Sequence, residues 1–470
     1  MSRGMFRALV FVVPRSREIR IVFWLFVSCI NEAAVFFRRL HKSINSGRLQ
    51  TCCGIGEEDF MLNLFRVSNF KSLIDFEFRP AGANLIVGTN NAGKSNLCQA
   101  LRFLSLTSSM SLDEAARECS PEPWHLLNVY LRKATIEMEA QVVFELGGEK
   151  LSFTYILTIA GHRRAIEGKF MSMSFTVDYE CLRITGGGFN DTTLIENRSG
   201  SVKLTHEKRY LQILEQNGSV PKGQAVVETS ALSNSTMLFR LFDLETNGRA
   251  NLFKKYLNSW NYYNFDPAAL RSNAATPMDQ TLDTNGSNLC SVLYTLHNQR
   301  PRDEKKLIEA VRLLEPRLDQ IIYPSPDLDH VYMFFEDKEG NKFGVQNVSE
   351  GTLRFLAICF LIIVNQRDSD EVDAPPPPPL VILEEPENGI FVAHLKPLFD
   401  KIDPSGNHGQ FIFTSHNPYF IDLFDSVVEG IHMVRNDGVK STLLRPSAEK
   451  IRAQLGQFSL GEMHFRGLLE

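Results

Sequence analysis

GTNNAGKS, at residues 88–95, decides the fold of this chain because it matches the pattern G-x-x-x-x-G-K-[ST] of a phosphate-binding loop. The apolar run Leu85–Val87 precedes it, and the residues after Gly93 predict a helix that continues to about Leu104. A strand, a glycine-containing turn and a helix in this order let backbone N–H groups surround phosphate oxygens beside the positive end of the helix dipole. The stretch therefore predicts a P-loop that binds a nucleoside triphosphate.

The residues of this loop have separate expected roles. Lys94 is expected to place its ammonium group beside the β- and γ-phosphates, and the Ser95 hydroxyl is expected to ligate Mg²⁺. The other residues expected to contact the nucleotide are Gly88, Asn90, Asn91, Ala92, Gly93 and Asn96. ATP and Mg²⁺ are therefore the predicted cofactors.

Two adjacent carboxylates follow a second apolar run, in LVILEEPE at residues 380–387. A buried parallel strand over this run would bring both carboxylates to the carboxyl edge of the sheet, beside the phosphates. Neighbouring residues of a strand point in opposite directions, so the two carboxylates are assigned different roles. We expect Glu384 to bind Mg²⁺ and Glu385 to polarise the attacking water.

A serine and a glycine stand before a long apolar helix, in NVSEGTLRFLAICFLII at residues 347–363. Ser349 can cap this helix, and the first backbone amides, including that of Gly351, can bind an anion. In isolation the segment is typical of a capped core helix. Its position shortly before the carboxylate strand favours a role in nucleotide binding.

A histidine follows a third apolar run, in FIFTSHNPYF at residues 411–420. A single histidine after a strand is usually structural. His416, however, lies 31 positions after Glu385, where a neighbouring strand would end at the same edge of the sheet. His416, Glu385 and Lys94 are therefore the candidate catalytic residues.

The composition is that of a globular protein, with 43% hydrophobic and 22% charged residues. The net charge of −5 excludes a uniformly basic surface, although a local patch could still bind nucleic acid. The eight cysteines show no metal-ligand spacing, which favours reduced thiols in a cytoplasmic protein.

The first sixty residues differ from the rest, with nine basic and five acidic residues. Their apolar run, Ile21–Ile30, is too short to cross a membrane, which takes about 20 residues. We expect residues 1–60 to be a poorly ordered extension before a natural start at Met61. A membrane or partner anchor built on the apolar run is the alternative.

The order of these motifs resembles that of the ATP-binding cassette (ABC) fold, and in particular the soluble RecF, SMC and OLD-like ATPases that are described as AAA-type. FRVSNFKSLIDFEF before the P-loop, and EEPENGIF and TSHNPYFID after it, are similar to that branch. The resemblance implies an α/β P-loop NTPase fold of the ABC-ATPase head type. It also implies a large mixed β/α insertion between the P-loop (Walker A) and the signature segment at Ser349.

The expected head, residues 61–470, divides into three parts. Residues 61–105 carry the P-loop, residues 106–340 form the insertion and a helical lobe, and residues 341–470 carry the signature, the Walker B carboxylates and the switch histidine. Within the insertion, alternation predicts at least three strands over residues 133–183. Apolar spacing predicts a helix over residues 303–322, kinked at Pro316.

The resemblance also implies a mechanism. Two heads would enclose two ATP molecules as a homodimer, with Ser349 and Gly351 of one subunit at the γ-phosphate bound by the other. His416 would contact the γ-phosphate. Asn69 and Phe70 would lie near the base, and Gln141 is the candidate glutamine-loop residue.

Glu350 and Glu384 depart from the commonest cassette pattern, which has Gly and Asp at those positions. These departures leave the rate of hydrolysis open.

Three biological roles are compatible with the sequence. The resemblance favours an ATPase in DNA repair or anti-phage defence that acts with DNA and with a separately encoded nuclease or toxin. A regulatory ATP switch on a protein partner, without nucleic acid, is the alternative. A transporter subunit is disfavoured because it would be about half this length and would have no need of the insertion, so no stable membrane association is expected.

Overall fold

The computed structural model describes residues 60–469 apart from 132, 147–148, 167–169, 207–225, 242–246, 273, 276–278, 325–329, 366–379 and 403–408. The predicted basic extension therefore lies outside the described residues, except for Phe60. In the described part of the chain, no helix combines the length and the apolar character that crossing a membrane requires.

In the part of the chain that the structure describes, eight strands form one antiparallel sheet. They are β1 (Phe60–Ser68), β2 (Phe76–Phe78), β4 (Thr135–Leu146), β5 (Glu149–Ile166), β6 (Phe170–Gly186), β7 (Phe189–Arg198), β8 (Ser201–Thr205) and β9 (Val226–Ser230). Their order across the sheet is β2-β1-β4-β5-β6-β7-β8-β9. Every second residue of β4 from Ile136 to Phe144 is buried, so one face of this sheet covers a core. The expectation of at least three strands over residues 133–183 is confirmed.

A second sheet carries the strands that end at the predicted site. Its members are β3 (Ala83–Val87), β10 (Trp260–Tyr263), β16 (Leu380–Glu384), β17 (Gln410–Ser415), β18 (Ile431–Asn436) and β19 (Ser441–Leu444), in the order β10-β16-β17-β3-β18-β19. All neighbouring pairs are parallel except β18 and β19. Every residue of β3, β16 and β17 is buried, which explains their continuous apolar runs.

Helices cover both faces of the parallel sheet. They are α1 (Lys94–Leu106), α2 (Leu112–Cys119), α3 (Met237–Arg240), α4 (Gly248–Asn258), α5 (Pro267–Leu270), α6 (Leu289–Gln299), α7 (Pro301–Val311), α8 (Glu350–Asn365), α9 (Lys396–Phe399), α10 (Pro418–Ile421), α11 (Ala448–Gln454) and α12 (Leu460–Phe465). Short 3₁₀ turns occupy Pro123–Leu126, Val345–Asn347, Val392–His394, Asp422–Phe424 and Val428–Gly430. Further short strands in the described residues are β11 (Ala274–Ala275), β12 (Leu318–Ile322), β13 (His330–Val331), β14 (Phe334–Asp337) and β15 (Lys342–Gly344).

Among the described residues, two hydrophobic cores lie on opposite faces of the parallel sheet. Ile382 packs into the core that α1 shares with the antiparallel sheet, whereas Leu383 packs into the core that contains α8. Alternate residues of one strand therefore face the two cores. The predicted α/β architecture is confirmed, with a large insertion between the P-loop and the signature segment.

One helix prediction was wrong in its second half. The helix that was expected over residues 303–322 ends at Val311, and β12 begins at Leu318. Pro316 ends the helical pattern instead of kinking it, because proline removes a backbone donor and disfavours helical backbone in the preceding residue. Leu318 and Ile321 are buried as members of a strand paired with β14.

Candidate nucleotide-binding site

The loop between β3 and α1 has the backbone of a phosphate cradle. Asn91 and Gly93 have positive φ angles of 62° and 108°, so the chain turns sharply before the helix begins. The Lys94 ammonium donates to Gly88 O at 2.7 Å and to Thr89 O at 3.0 Å, which folds the side chain over the loop. Burial lowers the pKa of Lys94, and the nearby carboxylates of Glu385 and Glu384 oppose this. A phosphate oxygen bound in the loop would replace the water contacts that the buried ammonium has lost.

Two serine hydroxyls lie directly behind the loop. Ser72 Oγ and Ser441 Oγ are hydrogen-bonded at 2.7 Å, and Ser441 Oγ also donates to Ala92 O at 2.7 Å. Asn96 Nδ2 donates to Ser72 Oγ at 2.7 Å. A Cβ atom at Gly93 would lie within 3.0 Å of Ser441 Oγ. Glycine is therefore required here both by the backbone angle and by the hydroxyl behind it.

Glu384 lies beneath the first turn of α1. Its Oε2 accepts a hydrogen bond of 2.6 Å from Ser95 Oγ, and its Oε1 accepts one of 3.0 Å from the Tyr262 hydroxyl. Burial raises the pKa of Glu384, and the two hydroxyl donors oppose this shift. Both hydrogen-bond partners are neutral. A buried carboxylate beside a serine oxygen provides the hard oxygen ligands that Mg²⁺ prefers, so the residues present fit this ion.

Glu385 leaves the strand instead of continuing it. Its φ is +43°, and its backbone N–H donates to Thr414 O on β17 at 3.1 Å. One carboxylate oxygen lies 3.2 Å from His416 Nδ1, and the other accepts from Asn388 Nδ2 at 2.8 Å. The two carboxylates do point to different places, as expected. The left-handed backbone at Glu385 contributes to this separation along with the pleat of the strand.

These residues border a cleft of about 570 Å³, a volume in the usual range for a small-molecule site. The lining residues are Ser72, Asn90, Asn91, Ala92, Gly93, Lys94, Ser95, Asn96, Glu385, His416 and Asn436. The structure thus brings together nine of the predicted site residues. Sequence reasoning missed Ser72 and Asn436. Ser72 lies in the quoted FRVSNFKSLIDFEF segment, whereas nothing around Asn436 signals its position.

Four predicted residues, Gly88, Glu384, Ser349 and Gly351, do not line the cleft. Gly88 holds Lys94 through its carbonyl, and Glu384 holds Ser95. Ser349 caps α8 by accepting from Thr352 N at 3.1 Å. Gly351 packs against the turn that follows Glu385, since a Cβ atom there would lie within 3.0 Å of Gly389 O.

Three weaker assignments are wrong as contacts to this cleft. Asn69 is 1% exposed, and its amide donates to Lys133 O at 2.8 Å, so its side chain is hydrogen-bonded to the insertion and not directed at the cleft. Phe70 is fully buried in the core. Gln141 lies on β4 and donates to Glu139 Oε1 at 2.7 Å. None of these three side chains lines the cleft.

A comparison with protein families identifies part of the chain. Residues 231–422 match the family model described as "AAA domain, putative AbiEii toxin, Type IV TA system". This span contains Ser349, Glu384, Glu385 and His416, and the loop at residues 88–95 precedes it. This part of the chain is therefore similar to that AAA domain. No curated protein sequence matches the chain.

Solved structures of SMC heads are distantly similar to the chain. An SMC head bound to the C-terminal winged-helix domain of ScpA has 13% identity and a TM-score of 0.47, over 83% of this chain and 99% of that chain. The SMC head domain from Thermotoga maritima has 12% identity and a TM-score of 0.38, over 82% and 99%. An SMC head from Pyrococcus furiosus, with an extended coiled coil and bound to the C-terminal domain of ScpA, has 11% identity and a TM-score of 0.42, over 85% and 99%.

Proposed function

We propose that the chain hydrolyses ATP to ADP and phosphate in a Mg²⁺-dependent reaction at this cleft. The observation that carries the proposal is the arrangement of Glu385, whose two carboxylate oxygens are held by His416 and Asn388 at the cleft wall. Glu385 faces the same space as the P-loop residues that would bind phosphate. A carboxylate oriented by two neighbours beside a phosphate cradle is suited to orienting a water for phosphoryl transfer.

Each residue of the cleft then has a defined task. The loop amides and the Lys94 ammonium bind the phosphates, and Ser95 and Glu384 provide oxygen ligands. Mg²⁺, when bound, neutralises phosphate charge and orients the phosphoryl group. Glu385 accepts a hydrogen bond from the attacking water, while His416 keeps the carboxylate directed into the cleft and faces the transferred group.

Two substitutions test the division of roles. Lys94→Ala is expected to weaken ATP binding, whereas Glu385→Gln is expected to bind ATP and lose turnover by about 100-fold or more, since it removes charge positioned for the transition state. Glu429→Gln, on an exposed carboxylate paired with Arg452, is the matched control and should keep full activity. Binding is measured with a fluorescent ATP analogue and turnover by phosphate release. Undiminished turnover in Glu385→Gln would remove the assignment.

We further propose that two copies enclose the nucleotides. Ser349 and Gly351 do not line the cleft of their own chain, so their contact with nucleotide would come from a second copy. Three strongly exposed aromatic side chains support an interface, because exposed apolar surface marks sites of protein contact. Phe391 and Tyr419, which follow Glu385 and His416 in the sequence, are 72% and 73% exposed, and Phe465 is 85% exposed.

Assembly is tested by sedimentation of Glu385→Gln, which should dimerise when ATP is added. Ser349→Arg in that background should stay monomeric, because a bulky cationic side chain would stand where Ser349 is proposed to contact the nucleotide of the second copy. The control is Ser201→Arg, at an exposed position of β8. A monomer at every ATP concentration, with ATP shown to be bound, contradicts the two-copy arrangement.

For the biological role, we propose anti-phage defence or DNA repair in which ATP controls a separately encoded nuclease or toxin. The family description supports defence, because it names a toxin–antitoxin system. ATPase rates with and without double-stranded DNA, single-stranded DNA and RNA test the nucleic-acid link. Stimulation by DNA supports it, whereas DNA-independent turnover favours a switch on a protein partner. Cleavage of DNA by the purified protein that disappears in Glu385→Gln would contradict the need for a separate effector.

A further inference from the structure

A tyrosine from the outer strand of the parallel sheet reaches the Mg²⁺ side of the site. Tyr262 lies on β10, opposite Ile382 of β16, and its hydroxyl donates to Glu384 Oε1 at 3.0 Å. Tyr262 and Ile382 pack toward the same core, the one that contains α1. Glu384 is two residues after Ile382, so its side chain emerges on this same face.

The two oxygens of Glu384 are divided between two donors. Ser95 occupies Oε2 at 2.6 Å, and Tyr262 occupies Oε1 at 3.0 Å. Ser95 and Glu384 Oε2 are the pair that fits a cation. The Tyr262 hydroxyl holds the other oxygen, which fixes the rotation of the carboxylate about its terminal bond.

Tyr262 is itself held by the helix that carries Ser95. The Arg102 guanidinium carbon lies 5.1 Å from the centre of the Tyr262 ring, within the range of a cation–π contact. Arg102 also donates to Glu118 O at 2.9 Å, which anchors it to α2. Ser95 and Arg102 are seven positions apart on α1, and therefore lie on one face of the helix two turns apart.

We propose that Tyr262 is a positioning residue for the Mg²⁺-binding carboxylate, and that it accounts for glutamate at position 384. The inference rests on the proposed Mg²⁺-dependent ATPase function. Aspartate is shorter by one C–C bond of about 1.5 Å, and at that length the 3.0 Å bond to Tyr262 would lie beyond hydrogen-bonding range. The glutamate spans the distance between the outer strand and Ser95.

The test separates metal binding from nucleotide binding. A fluorescent ATP analogue is titrated with EDTA present, and the increase in affinity is then followed as Mg²⁺ is added. Tyr262→Phe should leave affinity in EDTA unchanged and raise the Mg²⁺ concentration for half-saturation by about 10-fold to 100-fold, the usual effect of removing a group that orients a metal ligand. Tyr263→Phe is the matched control, since it removes the hydroxyl of the adjacent residue, which faces the other core.

A double-mutant cycle with Glu384→Asp tests the link between the two residues. The single substitutions should each weaken the Mg²⁺ response, and the double substitution should be no worse than Glu384→Asp alone, because the hydrogen bond is already absent. Melting curves without nucleotide verify that each variant folds.

The outcomes distinguish the two proposals. A wild-type Mg²⁺ response in Tyr262→Phe, with the response lost in Glu384→Ala, overturns the role of Tyr262 and leaves the ATPase function standing. Equal effects of Tyr262→Phe and Tyr263→Phe also overturn it. Absence of nucleotide binding by the wild-type chain, with or without Mg²⁺, overturns both.

Discussion

Replacing Gly351 by alanine should disturb the turn that holds Glu385 in the same chain. Gly351 is the second residue of α8, and a methyl group there would lie within 3.0 Å of Gly389 O, a backbone atom. The atom that the methyl group would meet belongs to a turn, in which Gly389 has a φ of +75°. The same turn carries Asn388, which holds Glu385. We expect Gly351→Ala to displace that turn.

Two opposing effects determine how Gly351→Ala changes the free energy of unfolding. Replacing glycine in a helix by alanine stabilises it by up to about 1 kcal/mol. Forcing a methyl group into a packed contact destabilises by about 1–3 kcal/mol, and a backbone carbonyl relaxes less readily than a side chain. The contact at Gly389 should therefore prevail, and the free energy of unfolding should fall by about 1–2 kcal/mol, with a lower kcat and little change in ATP affinity.

Urea unfolding and single-turnover phosphate release measure these two quantities. Gly456→Ala is the control, because a methyl group at Gly456 would meet no atom of the described residues within 4 Å. If the signature glycine served only to offer its backbone amide to a nucleotide, alanine would be tolerated, since it keeps that amide. Wild-type stability and turnover in Gly351→Ala would refute the reasoning.

Three further outcomes are expected. Gly93→Ala should weaken binding of a fluorescent ATP analogue by at least about tenfold, because alanine tolerates φ of +108° poorly and Ser441 Oγ stands behind it; equal affinity would contradict this. Asn388→Ala should lower kcat about tenfold with unchanged ATP affinity, since it frees one oxygen of Glu385. Burial lowers the pKa of His432 to about 3, so protonation favours the unfolded chain, and the free energy of unfolding should lose about 1.4 kcal/mol from this group between pH 7.5 and 5.5. His432→Leu should remove that part of the pH dependence of the free energy of unfolding, measured by urea titration. An unchanged pH dependence in the variant would contradict the lowered pKa of His432.

The part of the site that could be predicted is the part written in contiguous motifs. The P-loop, Glu385 and His416 follow apolar runs that read as buried strands, and parallel strands bring their carboxyl ends to one edge. The placement of these residues therefore follows from local pattern plus one rule of sheet geometry. Their chemical roles remain predictions.

The missed residues depend on pairings that no local pattern records. Ser72 and Asn436 reach the cleft because Ser441 bridges the segments that carry them, accepting from Asn436 Nδ2 and bonding to Ser72 Oγ. Tyr262 reaches Glu384 because β10 is the outer neighbour of β16. Asn69, in contrast, was predicted at the base on resemblance alone, and its amide is taken by the carbonyls of the insertion.

The central position of β3 sets a condition on how this protein can be made. Asn84 of β3 donates a hydrogen bond to Phe411 of β17, 327 positions later, and the other neighbour of β3 is β18, later still. During synthesis, the strand that leads into the P-loop therefore emerges from the ribosome with both edges unpaired, and it stays so until nearly the whole chain has followed. Unpaired apolar edges are the surfaces on which incomplete chains aggregate. A chain that is cut short anywhere before residue 410 has an unpaired apolar strand and lacks the nucleotide pocket. The yield of folded protein should therefore depend on uninterrupted translation and on chaperones that shield the nascent chain.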